Sequence, residues 1–295
     1  MKTSTARIFE VKRFAVHDGD GIRTTVFFKG CPLKCVWCHN PEGLSGRAEL
    51  GFFAHKCVSC GACAQVCPHG AHRMEEGRHV FLREACASCG KCAEACPAEA
   101  LTLYGRDVTV EELLPLLLED RDFYENSGGG VTLSGGECLL WAPFCEELLA
   151  RLKKEGIHTA VDTSGCVPRE AIARVAPYTD VFLFDVKAMS EDVHLALTGK
   201  GNGEILENLR YLDAIGARVE VRIPFVPALN GGEMDEIARF LGSLSCVSGV
   251  RVLSYHAHAA SKYEALGREY TVTALPPTEE ELERAKRKMR SLRDG

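Results

Sequence analysis

The stretch that decides the fold is GDGIRTTVFFKGCPLKCVWCHNPEG, residues 19–43. Within it, RTTVFF at 23–28 is rich in β-branched and aromatic side chains, which predicts a buried strand. Three cysteines follow that strand with the spacing C-x3-C-x2-C: Cys31, Cys35 and Cys38. Thiols so close together predict a metal or iron–sulfur site, and they leave open which group supplies the fourth ligand. A zinc site, or a four-cysteine cluster with a distant fourth cysteine, would also fit this triplet taken alone.

The composition of the whole chain limits what the triplet can belong to. The 295 residues are 46% hydrophobic and carry a formal net charge of −6. This is ordinary for one large globular domain, with or without a small insert, and it gives no reason to expect general nucleic-acid affinity. No apolar run is long enough to span a membrane, and the N-terminus lacks the apolar core of a signal peptide. We therefore predict a cytoplasmic protein with neither nucleic acid nor membrane as a partner.

Fifteen cysteines are many for such a protein. Because the cytosol is reducing, clustered cysteines there hold metal more often than they form disulfides. Two runs, CVSCGACAQVCP at 57–68 and CASCGKCAEACP at 86–97, begin 29 residues apart and indicate an internal duplication. The four cysteines outside these runs and the triplet are most simply buried apolar residues: Cys138, Cys145, Cys166 and Cys246.

Each run reads C-x2-C-x2-C-x3-C-P, the pattern of bacterial ferredoxins, in which three thiolates hold one 4Fe–4S cluster and the fourth crosses to the other. On this rule cluster A takes Cys57, Cys60, Cys63 and Cys96, and cluster B takes Cys86, Cys89, Cys92 and Cys67. Gly61 and Gly90 relieve the tight turns between the ligands. Two zinc sites are the alternative, but zinc usually takes two C-x2-C knuckles rather than a triple run that ends in Cys-Pro.

Outside the two runs, apolar stretches alternate with helical patterns. The predicted strands are RTTVFF at 23–28, GVTLS at 130–134, HTAVDT at 158–163, VFLFDVK at 181–187, ARVEVRIP at 217–224 and VRVLSYH at 250–256. The predicted helices begin at Thr109, Ala142, Pro168, Gly203 and Glu233. Pro115 predicts that the first of these helices is kinked or starts late.

This alternation predicts an α/β protein, a partial (β/α)6 TIM-like barrel, whose chemistry lies at the carboxyl ends of its strands. The predicted barrel comprises residues 1–48 and 106–295. Residues 49–105 form an inserted ferredoxin-like domain that carries the two 4Fe–4S clusters.

The triplet, with D-G-x-G-I-R ahead of it and C-H-N-P-E after it, resembles the glycyl-radical-enzyme activating enzymes of the radical S-adenosylmethionine (SAM) superfamily. The resemblance implies a 4Fe–4S cluster on Cys31, Cys35 and Cys38, the SAM cluster, whose fourth iron is left for the amino and carboxylate groups of SAM. It also implies reductive cleavage of SAM to a 5′-deoxyadenosyl radical. That radical takes a hydrogen from the backbone Cα of one glycine in a partner glycyl radical enzyme.

Motifs at the later strand ends resemble the SAM site of the same family: SGGE at 134–137, DTSG at 162–165 and DVK at 185–187. The residues implied to contact SAM are Trp37, Gly135, Gly136, Glu137, Asp162, Asp185, Lys187, Arg222 and His256. The residues implied to hold a monovalent cation, an option that the motifs leave open, are Asp162, Thr163 and Asp185. Cys138 stands where the family often has proline. Any one of these residues alone is more simply a solvated charge or a core polar group, and the prediction depends on their shared order and location.

The implied partners are a glycyl radical enzyme and a low-potential flavodoxin or ferredoxin as reductant. Activators of pyruvate formate-lyase typically lack the insert. Activators of glycerol or choline lyases, hydroxyproline dehydratase, arylacetate decarboxylases and arylsuccinate synthases tend to have it, which favours a partner from this second group. Electron relay is the first role predicted for clusters A and B, and a structural or docking role is the alternative. Two other functions stay open: a radical SAM enzyme for a small molecule, and a non-catalytic iron–sulfur electron carrier.

Overall fold

The computed structural model describes residues 4–290 of the chain. Its β-strands are β1 Thr5–Ala15, β2 Arg23–Phe28, β3 Glu49–Phe52, β4 His72–Glu75, β5 Arg78–Phe81, β6 Leu101–Tyr104, β7 Arg106–Thr109, β8 Gly130–Gly135, β9 Thr159–Thr163, β10 Val181–Asp185, β11 Val219–Phe225 and β12 Val247–Ser254. Its α-helices are α1 Ala62–Val66, α2 Lys91–Glu94, α3 Val110–Leu118, α4 Arg121–Ser127, α5 Ala142–Lys154, α6 Arg169–Val175, α7 Glu191–Thr198, α8 Gly203–Ala214, α9 Pro227–Asn230, α10 Met234–Gly242, α11 Ala260–Ala265 and α12 Glu279–Arg290. Within residues 4–290, no helix has both the length and the apolar character needed to cross a bilayer.

Eight strands form one sheet, in the order β12-β11-β10-β9-β8-β2-β1-β7. The six strands from β12 to β2 pair in parallel, and they are the six that the sequence predicts. The predicted α/β fold, with a parallel sheet of the partial-barrel kind, is confirmed. The remaining two strands, β1 beside β2 and β7 at the edge, pair antiparallel and are not among the strands predicted from the sequence. Of the 11 residues of β1, only Ala6, Ile8 and Ala15 are buried, so the alternating apolar signal is thin.

The main apolar core lies on the face of the parallel strands that the helices cover. Leu133 of β8 and Val161 of β9 are fully buried and share one apolar cluster with Phe144 of α5. The four cysteines predicted to be apolar filling are buried, as Cys138, Cys145, Cys166 and Cys246 all lie within the described core.

The helix predicted from Thr109 is two helices, α3 and α4. Thr109 caps α3, because its side chain accepts a hydrogen bond from the Glu112 N–H while the Glu112 carboxylate accepts one from the Thr109 N–H. The expectation that Pro115 delays the start of this helix is therefore wrong. Pro115 lies exposed within α3, and the helix ends three residues later, at Leu118.

Residues 49–104 form a separate small unit in which the 29-residue repeat is visible in the backbone. Strands β3 and β5 occupy equivalent positions in the two repeats, and so do β4 and β6. The unit has two small sheets, one in which β3 pairs with β6 and one in which β4 pairs with β5. Each sheet therefore contains one strand from the β3/β5 position and one from the β4/β6 position. Gly61 and Gly90 adopt positive φ angles of 78° and 84° at equivalent turns, as predicted. The predicted boundaries of the insert fall at the start of β3 and between β6 and β7.

A segment near the C-terminus, residues 260–270, ties this unit to the loop after the cysteine triplet. Lys262 Nζ lies 2.6 Å from Glu42 Oε1, and Arg268 Nη2 lies 2.7 Å from Glu49 Oε1. The fully buried Lys29 donates to the Glu42 carbonyl at 2.6 Å and pairs with Glu49 at 3.1 Å. One charged network therefore joins the triplet loop, the small unit and residues 260–270, which we call the tail.

Candidate active site

The carboxyl ends of the six parallel strands and the triplet loop line one cleft of about 300 Å³. Most of the residues singled out in the sequence lie there: Cys31, Cys35, Trp37, Cys38, Gly135, Gly136, Asp162, Thr163, Asp185, Lys187 and Arg222. This volume is at the lower end of the range for small-molecule sites. Residues up to 191 positions apart thus meet at one edge of the sheet, where such folds place their chemistry.

The triplet loop is held in place by its backbone. The Lys34 N–H donates to the Thr198 carbonyl at 2.7 Å, and the Val36 N–H donates to the Leu197 carbonyl at 3.0 Å, both at the end of α7. Burial raises the pKa of the thiols of all three cysteines, and that of Cys38 reaches about 12. Three half-buried thiols so close together could ionise only with a positive partner, so this donor set fits a metal cluster.

Asp162 and Arg222 form a buried pair on the wall of the cleft. Arg222 Nη1 lies 3.4 Å from Asp162 Oδ2, which also accepts a hydrogen bond from Ser134 Oγ at 2.6 Å. Burial raises the pKa of Asp162 to about 6, although Arg222 opposes the shift. Arg222 Nη2 donates to the His17 carbonyl at 2.9 Å, but Arg222 Nε is buried without a partner. An orphaned N–H of this kind has capacity for a ligand oxygen.

Lys187 brings a second positive charge beside the triplet. Its Nζ lies 2.5 Å from Asp185 Oδ2. Burial alone would lower the pKa of Lys187, but the negative charges of Asp185 and Cys35 outweigh it and raise that pKa. The charge of Lys187 in turn opposes the rise in the pKa of Cys35. Lys187 therefore stays charged next to the cysteine loop.

Glu137 does not line the cleft. Its carboxylate is fully buried and accepts hydrogen bonds from Thr163 Oγ1 at 2.8 Å, Ser164 Oγ at 2.6 Å and the Ser164 N–H at 2.9 Å. Burial raises the pKa of Glu137, and these hydrogen bonds lower it. The side chain thus ties the turn after β8 to the turn after β9, and Gly135 and Gly136 are the part of this motif that faces the cleft.

Trp37 and His256 differ in how they meet the cleft. Trp37 is 4% exposed, lines the cleft and packs with Tyr255 and Val226. His256 is exposed and lies outside the lining residues, where its ring stacks on His39 with centroids 4.1 Å apart. Tyr255, its neighbour, does line the cleft, and only its place near the end of a predicted strand marks it in the sequence.

The arginine of the D-G-x-G-I-R motif, Arg23, lies at the opposite end of the sheet. It begins β2, is fully buried, and donates to Thr132 Oγ1 at 2.7 Å and to the Val131 carbonyl at 2.8 Å. Burial lowers the pKa of Arg23 to about 10. Gly21 of the same motif has a positive φ of 69°, and a Cβ there would lie 2.4 Å from the Gly129 nitrogen. This part of the motif joins strands rather than lining the cleft.

The sequence profile of the Radical SAM superfamily matches residues 25–241 of this chain. The chain belongs to the radical SAM superfamily. It is 42% identical over 279 residues to the choline trimethylamine-lyase activating enzyme of Oleidesulfovibrio alaskensis, covering 92% of this chain and 90% of that one.

Two further relatives show to which family within this superfamily the chain belongs. The benzylsuccinate synthase activating enzyme of Thauera aromatica is 42% identical over 271 residues, covering 88% of this chain and 82% of the relative. The trans-4-hydroxy-L-proline dehydratase activating enzyme of Clostridioides difficile is 41% identical over 286 residues, covering 95% and 94%. Within the radical SAM superfamily, this chain is one of the glycyl-radical-enzyme activating enzymes.

In this radical SAM protein, the cysteines assigned to cluster A line one small cavity: Cys57, Cys60, Cys63 and Cys96. Cys96 comes from the second repeat, so this cavity takes thiols from both runs. For cluster B, the charges of Cys86 and Cys67 both act on the pKa of Cys92, which burial raises to about 11. The last cysteine of each run makes an equivalent hydrogen bond. Cys67 Sγ accepts one from the Ala71 N–H at 3.3 Å, and Cys96 Sγ accepts one from the Ala100 N–H at 3.4 Å.

A histidine pair beside the cysteines assigned to cluster A is missing from the sequence prediction. His72 Nδ1 lies 2.9 Å from His79 Nε2, and His79 Nδ1 lies 3.8 Å from Cys57 Sγ. Burial lowers the pKa of both imidazoles, and that of His72 falls to about 4. The repeat carried a signal for this pair, because the positions 29 residues away from His79 and His72 are Leu50 and Leu101.

Proposed function

We propose that this protein activates a glycyl radical enzyme of a kind other than pyruvate formate-lyase, by reductive cleavage of SAM and removal of a hydrogen from one glycine Cα. One observation carries the proposal: three thiols and the charged groups of Lys187, Arg222 and Asp162 line a single cleft. Three thiols leave one iron of a 4Fe–4S cluster without a protein ligand. When bound, the cluster and SAM supply the 5′-deoxyadenosyl radical that removes the hydrogen.

The residues of the cleft would hold SAM by complementary chemistry. The Trp37 ring offers an apolar face for the adenine. Lys187 and the unpartnered Nε of Arg222 suit carboxylate or hydroxyl oxygens, and the exposed backbone of Gly135 and Gly136 suits the methionyl ammonium. Glu137 acts through the protein, because its hydrogen bonds fix the position of those glycines relative to Asp162 and Thr163. His256 would approach the nucleoside only from the rim, next to His39.

A monovalent cation between Asp162 and Asp185 belongs to the same proposal. The charge of Asp185 contributes, after burial, to the raised pKa of Asp162. A cation between the two carboxylates would relieve that repulsion. Thr163 offers only its oxygen lone pairs, because its hydroxyl proton is donated to Glu137.

We propose further that residues 49–105 form a ferredoxin-like domain that carries clusters A and B and relays electrons to the SAM cluster. Support comes from the repeated backbone, from the four thiols around one cavity and from the crossing cysteines. The reductant would be a low-potential flavodoxin or ferredoxin of the cytoplasm, and nothing in the net charge of −6 favours nucleic acid as a partner.

The test is anaerobic and uses whole partner enzymes in place of short peptides, so that docking surfaces are present. Choline trimethylamine-lyase and trans-4-hydroxy-L-proline dehydratase, the enzymes named in two relatives, are produced with Cα-dideuterated glycine and mixed with reduced protein and SAM. We expect deuterium in the 5′-deoxyadenosine and a glycyl radical signal by electron paramagnetic resonance (EPR) with at least one partner. The control is the Cys31→Ala/Cys35→Ala/Cys38→Ala variant.

The alternative functions give different results. Undeuterated 5′-deoxyadenosine with every partner, formed at a rate that a metabolite increases, would favour an enzyme for a small molecule. Absence of 5′-deoxyadenosine, with iron present for all three clusters, would favour an electron carrier and contradict the proposal.

A further inference from the structure

The two repeats of residues 49–104 differ in the side chains that surround their cysteines. In one sheet, Leu50 and Leu101 are buried in an apolar cluster with Cys63 and Cys92. At the equivalent positions of the other sheet stand His79 and His72, 29 residues away in each case. The cysteine spacing and the turns are the same in both repeats, so this substitution gives clusters A and B unequal surroundings.

The direction of the hydrogen bonds in the histidine pair follows from the chemistry of the acceptor. Cys57 as a cluster ligand is a thiolate, which can only accept a hydrogen bond. The proton of His79 must then be on Nδ1, 3.8 Å from Cys57 Sγ, and Nε2 must accept from His72 Nδ1 at 2.9 Å. This assignment leaves His72 Nε2 unprotonated, and that atom is buried without a hydrogen-bond partner. Neither imidazole keeps an unpaired N–H.

We propose that His79 donates a hydrogen bond to the Cys57 thiolate and thereby raises the reduction potential of cluster A above that of cluster B. The inference rests on the proposed two-cluster function. Reduction places extra negative charge on the ligand sulfurs, so an N–H donor stabilises the reduced cluster more than the oxidised one. His72 strengthens that donor because it donates to the other nitrogen of the same ring. Leu50, at the equivalent position, has no donor to offer.

The same atoms allow a competing use. One ligand atom each of Cys63, His72 and His79 lie within 4.8 Å of one another, a spacing that could hold a single metal ion. Cys63 cannot serve that ion and cluster A together. A zinc-type site would therefore exclude the cluster, and the iron content of the protein separates the two.

The experiment is a redox titration followed by EPR. It uses the reconstituted full chain with Cys31→Ala/Cys35→Ala/Cys38→Ala, which leaves clusters A and B as the only ones. We expect iron for two 4Fe–4S clusters and two separate potentials. His79→Leu copies the other repeat, and it should shift the higher potential down towards the lower one, which stays in place. His79→Gln keeps an N–H donor and should retain most of the difference. His55→Leu, an exposed histidine of the same unit, is the matched control and should change neither potential.

A resonance Raman measurement adds a readout that a change in packing would not mimic. Loss of the hydrogen bond should shift an iron–thiolate stretching band upwards in His79→Leu and leave it in place in His79→Gln. If His79→Leu loses iron, His72→Leu replaces it as the test, because His72 supports the donor but does not contact Cys57. In His72→Leu we expect a smaller downward shift of the upper reduction potential. Equal potentials in the parent, or an unchanged upper potential in these variants with full iron, would overturn the inference. Iron for one cluster or none in the parent overturns the two-cluster function and this inference together.

Discussion

The cysteine triplet and the two cysteine runs use the same ligand in contrasting settings. The three thiols of the triplet lie at the carboxyl ends of parallel strands, beside charged side chains in a cleft. The runs form a small unit of their own, where four thiols surround a cavity of about 20 Å³ with mainly apolar neighbours. Four thiols complete a cluster, whereas three leave a position for a second molecule. The number of thiols and the charge around them, rather than the ligand type, distinguish the triplet from the two runs and fit the different roles proposed for them.

The largest effect should follow from removing the triplet. Cys31→Ala/Cys35→Ala/Cys38→Ala should abolish 5′-deoxyadenosine formation and retain the iron of clusters A and B, because the two sets of cysteines share no ligand. Mass spectrometry of the nucleoside and iron analysis check both statements. SAM cleavage that persists in this variant would contradict the assignment of the reactive site to the triplet.

A smaller effect is expected at Arg222. Arg222→Lys keeps the charge but loses the guanidinium fork and its unpartnered Nε–H, so SAM should bind about tenfold more weakly, or about 1.4 kcal/mol. Equilibrium dialysis under anaerobic conditions measures this. The matched control is Arg251→Lys on the neighbouring strand, at the position that pairs with Arg222 in the sheet and contacts Glu220 and Asp20 instead. Equal losses in both variants would contradict a specific contact with SAM.

Removing cluster A tests whether the two cysteine runs relay electrons to the triplet. In Cys57→Ala/Cys60→Ala/Cys63→Ala, SAM cleavage driven by flavodoxin should fall severalfold, because the relay is interrupted. Cleavage driven by dithionite should persist, since a small reductant can reach the SAM cluster through the cleft. If both reductants become equally poor, clusters A and B are structural rather than electron relays.

Arg23 should affect stability without affecting SAM binding. Arg23→Lys loses buried hydrogen bonds to Thr132 and Val131 at the amino end of the sheet, a loss of about 3 kcal/mol. Thermal unfolding should begin at a lower temperature, while SAM affinity in the folded protein should equal that of the parent. A weaker affinity would mean that the two ends of the sheet are coupled.

The sequence predicted the parallel strands well because each is a short apolar run with a polar motif at its carboxyl end. It missed β1 and β7, whose few buried residues give little periodic signal. The assignment of Glu137 to SAM follows from the motif alone, and only the fold places Thr163 and Ser164 around its carboxylate. Long-range partners of this kind have no signature in spacing. The histidine pair, in contrast, is detectable once the two repeats are aligned residue by residue.

The tail, residues 260–270, connects two other parts of the molecule. Lys262 pairs with Glu42 in the triplet loop, and Arg268 pairs with Glu49 where the small unit begins. A partner that pushes this tail aside breaks both ion pairs in one event. The loop after the triplet and the first strand of the small unit therefore depend on one segment for an ion pair each.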